Sequence, residues 1–265
     1  MNETIRLDAY LSSQGIGARR KIPYILASQK IMLNDVRVVK PGTRIDPKKD
    51  TLTINGKKIY QPHLEYILLN KPLGIISSAK DELRRKTVTD LVRSRNRLFP
   101  IGRLDKDTTG LIILTNDGDF ANLLTHPRYH VPKTYQLYIQ GSVNSMVLKR
   151  FRSGVELEEG KTAPCEATIL SSNEKVTMVR VVLYQGWKRQ IRRMCEKLGL
   201  NLTSLERVAI GSVRVGNLQP GQFRLLTPKE IGSLTRSAKG GVKKEVEKKI
   251  VVKKISKKRK GVGDL

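Results

Sequence analysis

The residues best placed for chemistry lie in PIGRLDKDTTGLIILTNDGDF, from Pro100 to Phe120, where a Gly-Arg-Leu-Asp turn runs into an apolar strand. Asp105 stands at its head, flanked by Arg103, Lys106 and Asp107. Leu111 to Leu114 read as a buried strand closed by the Thr-Asn-Asp-Gly turn, so the carboxylate sits just before a core element. A carboxylate on such a base suits chemistry, because a strand fixes a side chain better than a free loop does. Taken alone, the stretch fits a surface ion pair with Arg103 equally well.

Two further stretches are informative. Lys133 to Ile139 alternates strictly, which predicts a strand carrying Tyr135, Leu137 and Ile139 on one face; by pattern alone Tyr135 reads as core. In YQGWKRQIRRMC, Tyr184 to Cys195, the stripe Ile191, Met194, Cys195 and Leu198 predicts a helix stopped at Gly199. Arg192 borders that stripe and can look inward. Lys188, Arg189 and Arg193 occupy other faces, from which phosphates are reachable. Cations this crowded repel unless an anion lies nearby, although a solvated basic helix is the plainer reading.

The composition says what kind of anion. Lysine and arginine total 51 against 24 acidic residues, a formal charge of +27. From Arg236 onward twelve basic and three acidic residues account for nine of those charges, leaving eighteen on the body. A field of that sign concentrates polyanions and points to nucleic acid. The only cysteines are Cys165 and Cys195 and the only histidines His63, His126 and His130, without CxxC, so neither a disulfide framework nor a zinc site is legible and a reducing, cytoplasmic setting is expected. No membrane span or signal peptide is readable.

The elements that position these residues divide the chain. Residues 1–59 read as a separate module: a helix bearing Leu7, Tyr10 and Leu11, a second opening at Ala18 and bearing Ile22, Ile25 and Leu26, a hairpin about Asn34-Asp35, and a strand at Thr51 to Ile54. Residues 60–65 read as a linker and 66–235 as a second domain. Within it come a strand at Tyr66 to Leu69, a short helix at Thr87 to Val92, a helix capped by Asp117 or Asp119, strands at Ala163 to Ser171 and Val176 to Tyr184, and a last capped helix near Thr227. Residues 236–265 carry lysine blocks and read as a disordered basic arm. Irregularly interleaved helices and antiparallel-looking strands predict an α+β fold rather than a doubly wound parallel sheet.

Two helices followed by a hairpin, with Arg19, Arg20 and Lys21 at the head of the second helix, resemble the S4 RNA-binding domain. From about Ile5 to Leu234 the chain resembles a ribosomal RNA pseudouridine synthase of the S4-containing, RsuA/RluB-like branch. GRLDKDTTGLIILTNDG carries the likeness, with THPRYHVPKTY, GWKRQIRRMCEKLG, Leu205-Glu206-Arg207 and Ile210-Gly211 as independent matches.

The resemblance implies a mixed, mainly antiparallel sheet flanked by helices, and cofactor-free isomerisation of uridine to pseudouridine in rRNA. Asp105 would be the essential carboxylate, acting as nucleophile at C1′ or as base at C2′. Tyr135 would stack on the target base, Arg192 would pair with Asp105, and Arg103 would fill the space left by the flipped uridine. Lys133, Lys188, Arg189, Gln190 and Arg193, with Arg19, Arg20 and Lys21 in the N-terminal module, would contact RNA. Leu205 or Ile210 would wall the base, or serve as plain core. THPRYHVPKTY and GVELEEGKTAPCEATI look closer to the branch acting on large-subunit rRNA. A small-subunit target and a noncatalytic assembly factor are the alternatives. A monomer is expected, with no membrane or metal.

Overall fold

The computed structural model describes residues 4–60 and 63–240. At its N-terminal end, α1 (Leu7–Ser13) and α2 (Ile22–Ser28) pack on an antiparallel sheet of β1 (Ile31–Leu33), β2 (Val36–Arg37), β3 (Leu52–Ile54) and β4 (Lys57–Ile59), ordered β2-β1-β3-β4. Asn34 and Asp35 take φ of 48° and 64°, the left-handed pair that a tight two-residue hairpin turn requires. Leu7, Leu11, Ile22, Leu26 and Ile31 are buried in one cluster between helices and sheet. The second helix starts later than its composition predicts. Arg19–Lys21 form a single 3₁₀ turn and α2 begins at Ile22, with Pro23 in the first turn, where a missing N–H leaves no bond unmade.

The larger sheet, nine-stranded among the described residues, contains β5 (Tyr66–Lys71), β6 (Phe99–Pro100), β7 (Thr109–Thr115), β8 (Lys133–Gln140), β9 (Glu166–Ser172), β10 (Val176–Leu183), β11 (Leu202–Ile210), β12 (Val213–Arg214) and β13 (Phe223–Leu225). Its order is β9-β10-β8-β11-β7-β5-β13, with β6 on β7 and β12 on β11. Neighbours are antiparallel except β7 and β11, which run parallel where Thr109 faces Glu206 and Gly110 faces Arg207. The expected α+β architecture with a mainly antiparallel sheet is what the chain forms.

Strand β7 is buried on both faces, which is why it reads as an unbroken apolar run. Leu111 and Ile113 pack with Phe120 and Leu124 of α3 (Gly118–Thr125), whose N-terminus is capped by the Asp117 carboxylate accepting from the Asp119 and Phe120 N–H groups. Ile112 and Leu114 face the other way, with Val88, Leu98 and Leu104. On that same side α4 (Ser145–Ser153) and α5 (Gln190–Lys197) cover β8 and β10, burying Leu148, Phe151, Ile191, Met194 and Cys195 against Leu137, Ile139, Val179 and Val181. Tyr135 packs against both of these clusters and so marks the seam between them.

Three sequence expectations need correction. Between Thr87 and Val92 the chain forms only a 3₁₀ turn, Thr89–Leu91, because the Asp90 carboxylate accepts from the Thr87 N–H and hydroxyl and tightens the turn. The strand expected from Ala163 begins at Glu166. Residues 236–240, expected to open the arm, instead belong to a helical stretch over 228–240 in which Leu234 and Ala238, one turn apart, are buried in the cluster beside α3. Residues 241–265 of that arm lie outside the described residues. Among the described residues no helix is long and apolar enough to cross a membrane.

Candidate active site

Asp105 lies in the loop between β6 and β7, and the local bonding explains how a loop carboxylate becomes fixed. The Ile101 N–H donates to the Ile113 carbonyl at 2.7 Å, aligning the segment along β7. Leu104 is held at both backbone polar groups by the buried Ser77 hydroxyl, which donates to its carbonyl at 2.8 Å and accepts from its N–H at 3.1 Å. Beyond Asp105 the Thr108 N–H donates to the Asp105 carbonyl at 3.0 Å, and the Gly74 N–H donates to the Lys106 carbonyl at 2.9 Å. The turn is therefore anchored before and after the carboxylate.

Beneath it sits Lys71, at 0% exposure. Its ammonium donates to the carbonyls of Thr108 at 2.7 Å and Pro72 at 3.1 Å, and more weakly to Lys106 at 3.4 Å. Burial pushes this ammonium down to about 8, against the opposing pull of the Asp107 and Asp105 charges. Lys71 and Ser77 were not singled out from the sequence. An Asn-Lys-Pro turn at a strand end gives no sign that its lysine points inward.

From the other side, α5 grips the turn through Asp107. Arg189 bonds both Asp107 carboxylate oxygens, at 3.0 and 3.1 Å. The Arg192 Nε lies 3.3 Å from Asp107 Oδ2, and its Nη2 donates to the Asp107 carbonyl at 2.7 Å. Burial pushes the Asp107 carboxyl up, but the Arg189 hydrogen bonds and the Arg192 charge outweigh it and hold the carboxyl below its usual value. Arg192 is thus brought to the turn, with Asp107 as its ion-pair partner rather than the expected Asp105. The reason is steric and local: Asp107 is the half-exposed acid that meets the N-terminal turn of α5. Among the described residues no ion pair to Asp105 is formed; its charge contributes to holding the Lys71 and Arg189 cations charged.

The remaining site residues expected from the sequence fall into three groups. Tyr135 is half-buried and packs against the cluster that contains Leu104, the residue before Asp105. Arg103, Lys188, Arg20 and Lys21 are exposed, and Lys133 is half-buried. The others already have protein partners. Arg193 forms a two-pronged pair with Glu159 at 2.7 and 2.8 Å, Arg19 donates to Asp8 at 3.1 Å, and Gln190 is buried, accepting from the Trp187 N–H at 3.1 Å. The crowding of cations on α5 is relieved by Asp107 and Glu159, which a linear pattern does not bring into view. Leu205 and Ile210 are core.

A carboxylate on a turn anchored at both ends, with an arginine-bearing helix bound to the same turn through Asp107, fits several chemistries, and comparison with known proteins shows the family. The family model for RNA pseudouridylate synthase matches residues 65–197, half of the chain. The chain belongs to that family. Within it the chain is an isomerase of the RsuA/RluB-like branch: it is 38% identical over 89% of its length, and 98% of the relative's, to the protein named ribosomal large subunit pseudouridine synthase B in Bacillus subtilis (strain 168). It is also 34% identical to the dual-specificity RNA pseudouridine synthase RluF of Escherichia coli (strain K12), covering 87% of this chain and 78% of that one. A solved structure described as a crystal structure of pseudouridylate synthase superposes with a TM-score of 0.63 at 28% identity, covering 87% of this chain and 99% of the other. For a pseudouridine synthase, the matched span contains the Asp105 turn, Tyr135 and Arg192 together.

Proposed function

We propose that this pseudouridine synthase acts on ribosomal RNA of the large subunit, with Asp105 as its essential carboxylate. The observation that carries the reading is the anchoring of the Asp105 turn. Ser77, Lys71 and α5 fix the backbone on either side, while the carboxylate itself is left without an ion-pair partner among the described residues. A group held this way loses little freedom on meeting substrate.

In this reading uridine leaves its stack to enter the cleft, Tyr135 stacks on the ring, and exposed Arg103 takes the vacated space. Asp105 begins the reaction at the sugar, as nucleophile at C1′ or base at C2′. Arg192, held by Asp107, keeps positive charge over the turn. The first 59 residues serve as an S4-like RNA-binding module; of the three cations at the head of its second helix, Arg20 and Lys21 are the exposed ones without an acidic partner among the described residues, since Arg19 is engaged by Asp8. The large-subunit target is supported by the name of the Bacillus relative and the near-complete coverage of its length.

The test is tritium release from C5-labelled ribosomal RNA, because the C5 hydrogen is lost only when C5 bonds to C1′. Release from large-subunit RNA and none from small-subunit RNA is expected. Binding without release would replace the reading by that of an assembly factor.

A further inference from the structure

A second charged group lies under the seam, and the Asp105 chemistry does not use it. Across the sheet Gly110, Arg207 and Tyr135 stand in one row, and Lys133 is two residues before Tyr135 on the same face of β8. The pairing slips between Thr134 and Tyr135, where Val208 of β11 is left over, a bulge of the kind that re-aims side chains beside active sites. Arg207 is 3% exposed; its Nε donates to the Leu111 carbonyl at 2.7 Å, and its Nη2 is buried with no hydrogen-bond partner.

Neither cation has a carboxylate. Asp8, Asp107, Glu159 and Glu230 each hold an arginine elsewhere in the fold, yet no ion pair among the described residues reaches Arg207 or Lys133. Burial lowers the Lys133 ammonium to about 8, and the Arg207 charge pushes it the same way. Two like charges in one partly dry place are costly unless an anion completes them at some point in the enzyme's cycle.

Resting on the reading of this chain as a uridine isomerase, we infer that Lys133, backed by Arg207, binds the negative charge that develops on the target uracil when it leaves the sugar. The N1–C1′ bond breaks with its electron pair staying on the base, giving an anion spread over N1, O2 and O4. C5 then bonds to C1′, the C5 proton departs, and N1 takes up a proton, so the product is an isomer of the substrate. Lys133 is half-buried and is the member that contacts the base; Arg207 lies deeper and acts as a positioning charge. A fixed cation aimed where charge develops lowers the barrier without tightening ground-state binding.

The experiment compares Lys133→Met with wild type in single-turnover pseudouridine formation on saturating rRNA and in RNA affinity across salt concentrations. The inference expects a rate lower by roughly 100-fold, with affinity and salt slope unchanged, and recovery of most of the rate in Lys133→Arg. Weakened affinity with a shallower salt slope and wild-type rate at saturation would assign the cation to a backbone phosphate and overturn it. A wild-type rate and affinity in Lys133→Met would also overturn it. If wild type forms no pseudouridine in the same assay, the isomerase reading fails as well, which separates the two failures.

Discussion

Arg192 is bound to Asp107, its Nε 3.3 Å from the carboxylate and its Nη2 2.7 Å from the same residue's carbonyl, two positions beyond Asp105. The arginine fixes the turn rather than neutralising the acid at its head. Asp107→Ala frees Arg189 and removes the ion pair of Arg192, leaving Arg192 only its bond to the carbonyl of residue 107, and a displacement of about 1 Å at a reacting group costs up to about 100-fold in rate. Single-turnover conversion by Asp107→Ala should fall by roughly 10- to 100-fold with RNA affinity little changed. Asp107→Asn, which keeps an acceptor for both arginines, should lose less.

Ser77→Ala removes the hydroxyl that satisfies both backbone groups of Leu104. Leaving them unpaired in a buried place costs about 1–3 kcal/mol, measurable by urea unfolding, and the rate should fall with stability because Asp105 is the next residue.

Lys71 gives a pH signature. Its ammonium sits at about 8 in the folded chain against 10.5 for an ordinary lysine, so below pH 8 both folded and unfolded states are charged and the burial penalty is fully present. Between about pH 8 and 10.5 the unfolded chain binds more protons, and this group's contribution to stability rises with pH. Lys133 has the same sign and is common to both proteins compared, so the difference between wild type and Lys71→Met isolates Lys71. Unfolding at pH 7 and pH 10 should show wild type gaining on the variant; an unchanged gap would contradict the burial argument. Loss of the bonds to the Thr108 and Pro72 carbonyls should also lower the variant's rate.

Gly110 has φ +99°, and a Cβ there would lie 2.3 Å from the Arg207 carbonyl oxygen. It permits the close parallel approach of β7 and β11 beside the site. Gly110→Ala should destabilise the protein by about 2–4 kcal/mol, read as a lower midpoint in thermal or denaturant unfolding.

The sequence made much of this legible. The unbroken run Leu111 to Leu114 marked a strand buried on both faces, the alternation from Lys133 marked β8, and the stripe Ile191, Met194, Cys195 marked α5. These patterns are local, and so they survive in one dimension. What was not legible is long-range. Lys71 and Ser77 reach the turn only through strand pairing and loop docking, and Asp107 meets Arg192 across 85 positions. Charges that looked free on α5 turned out to have acids contributed by distant loops.

The central claim is that Asp105 does the chemistry, and one substitution addresses it. Purified Asp105→Asn should keep its unfolding midpoint and rRNA affinity while forming no pseudouridine in single-turnover assays on large-subunit RNA. Pseudouridine formation by Asp105→Asn at the wild-type rate would contradict the account.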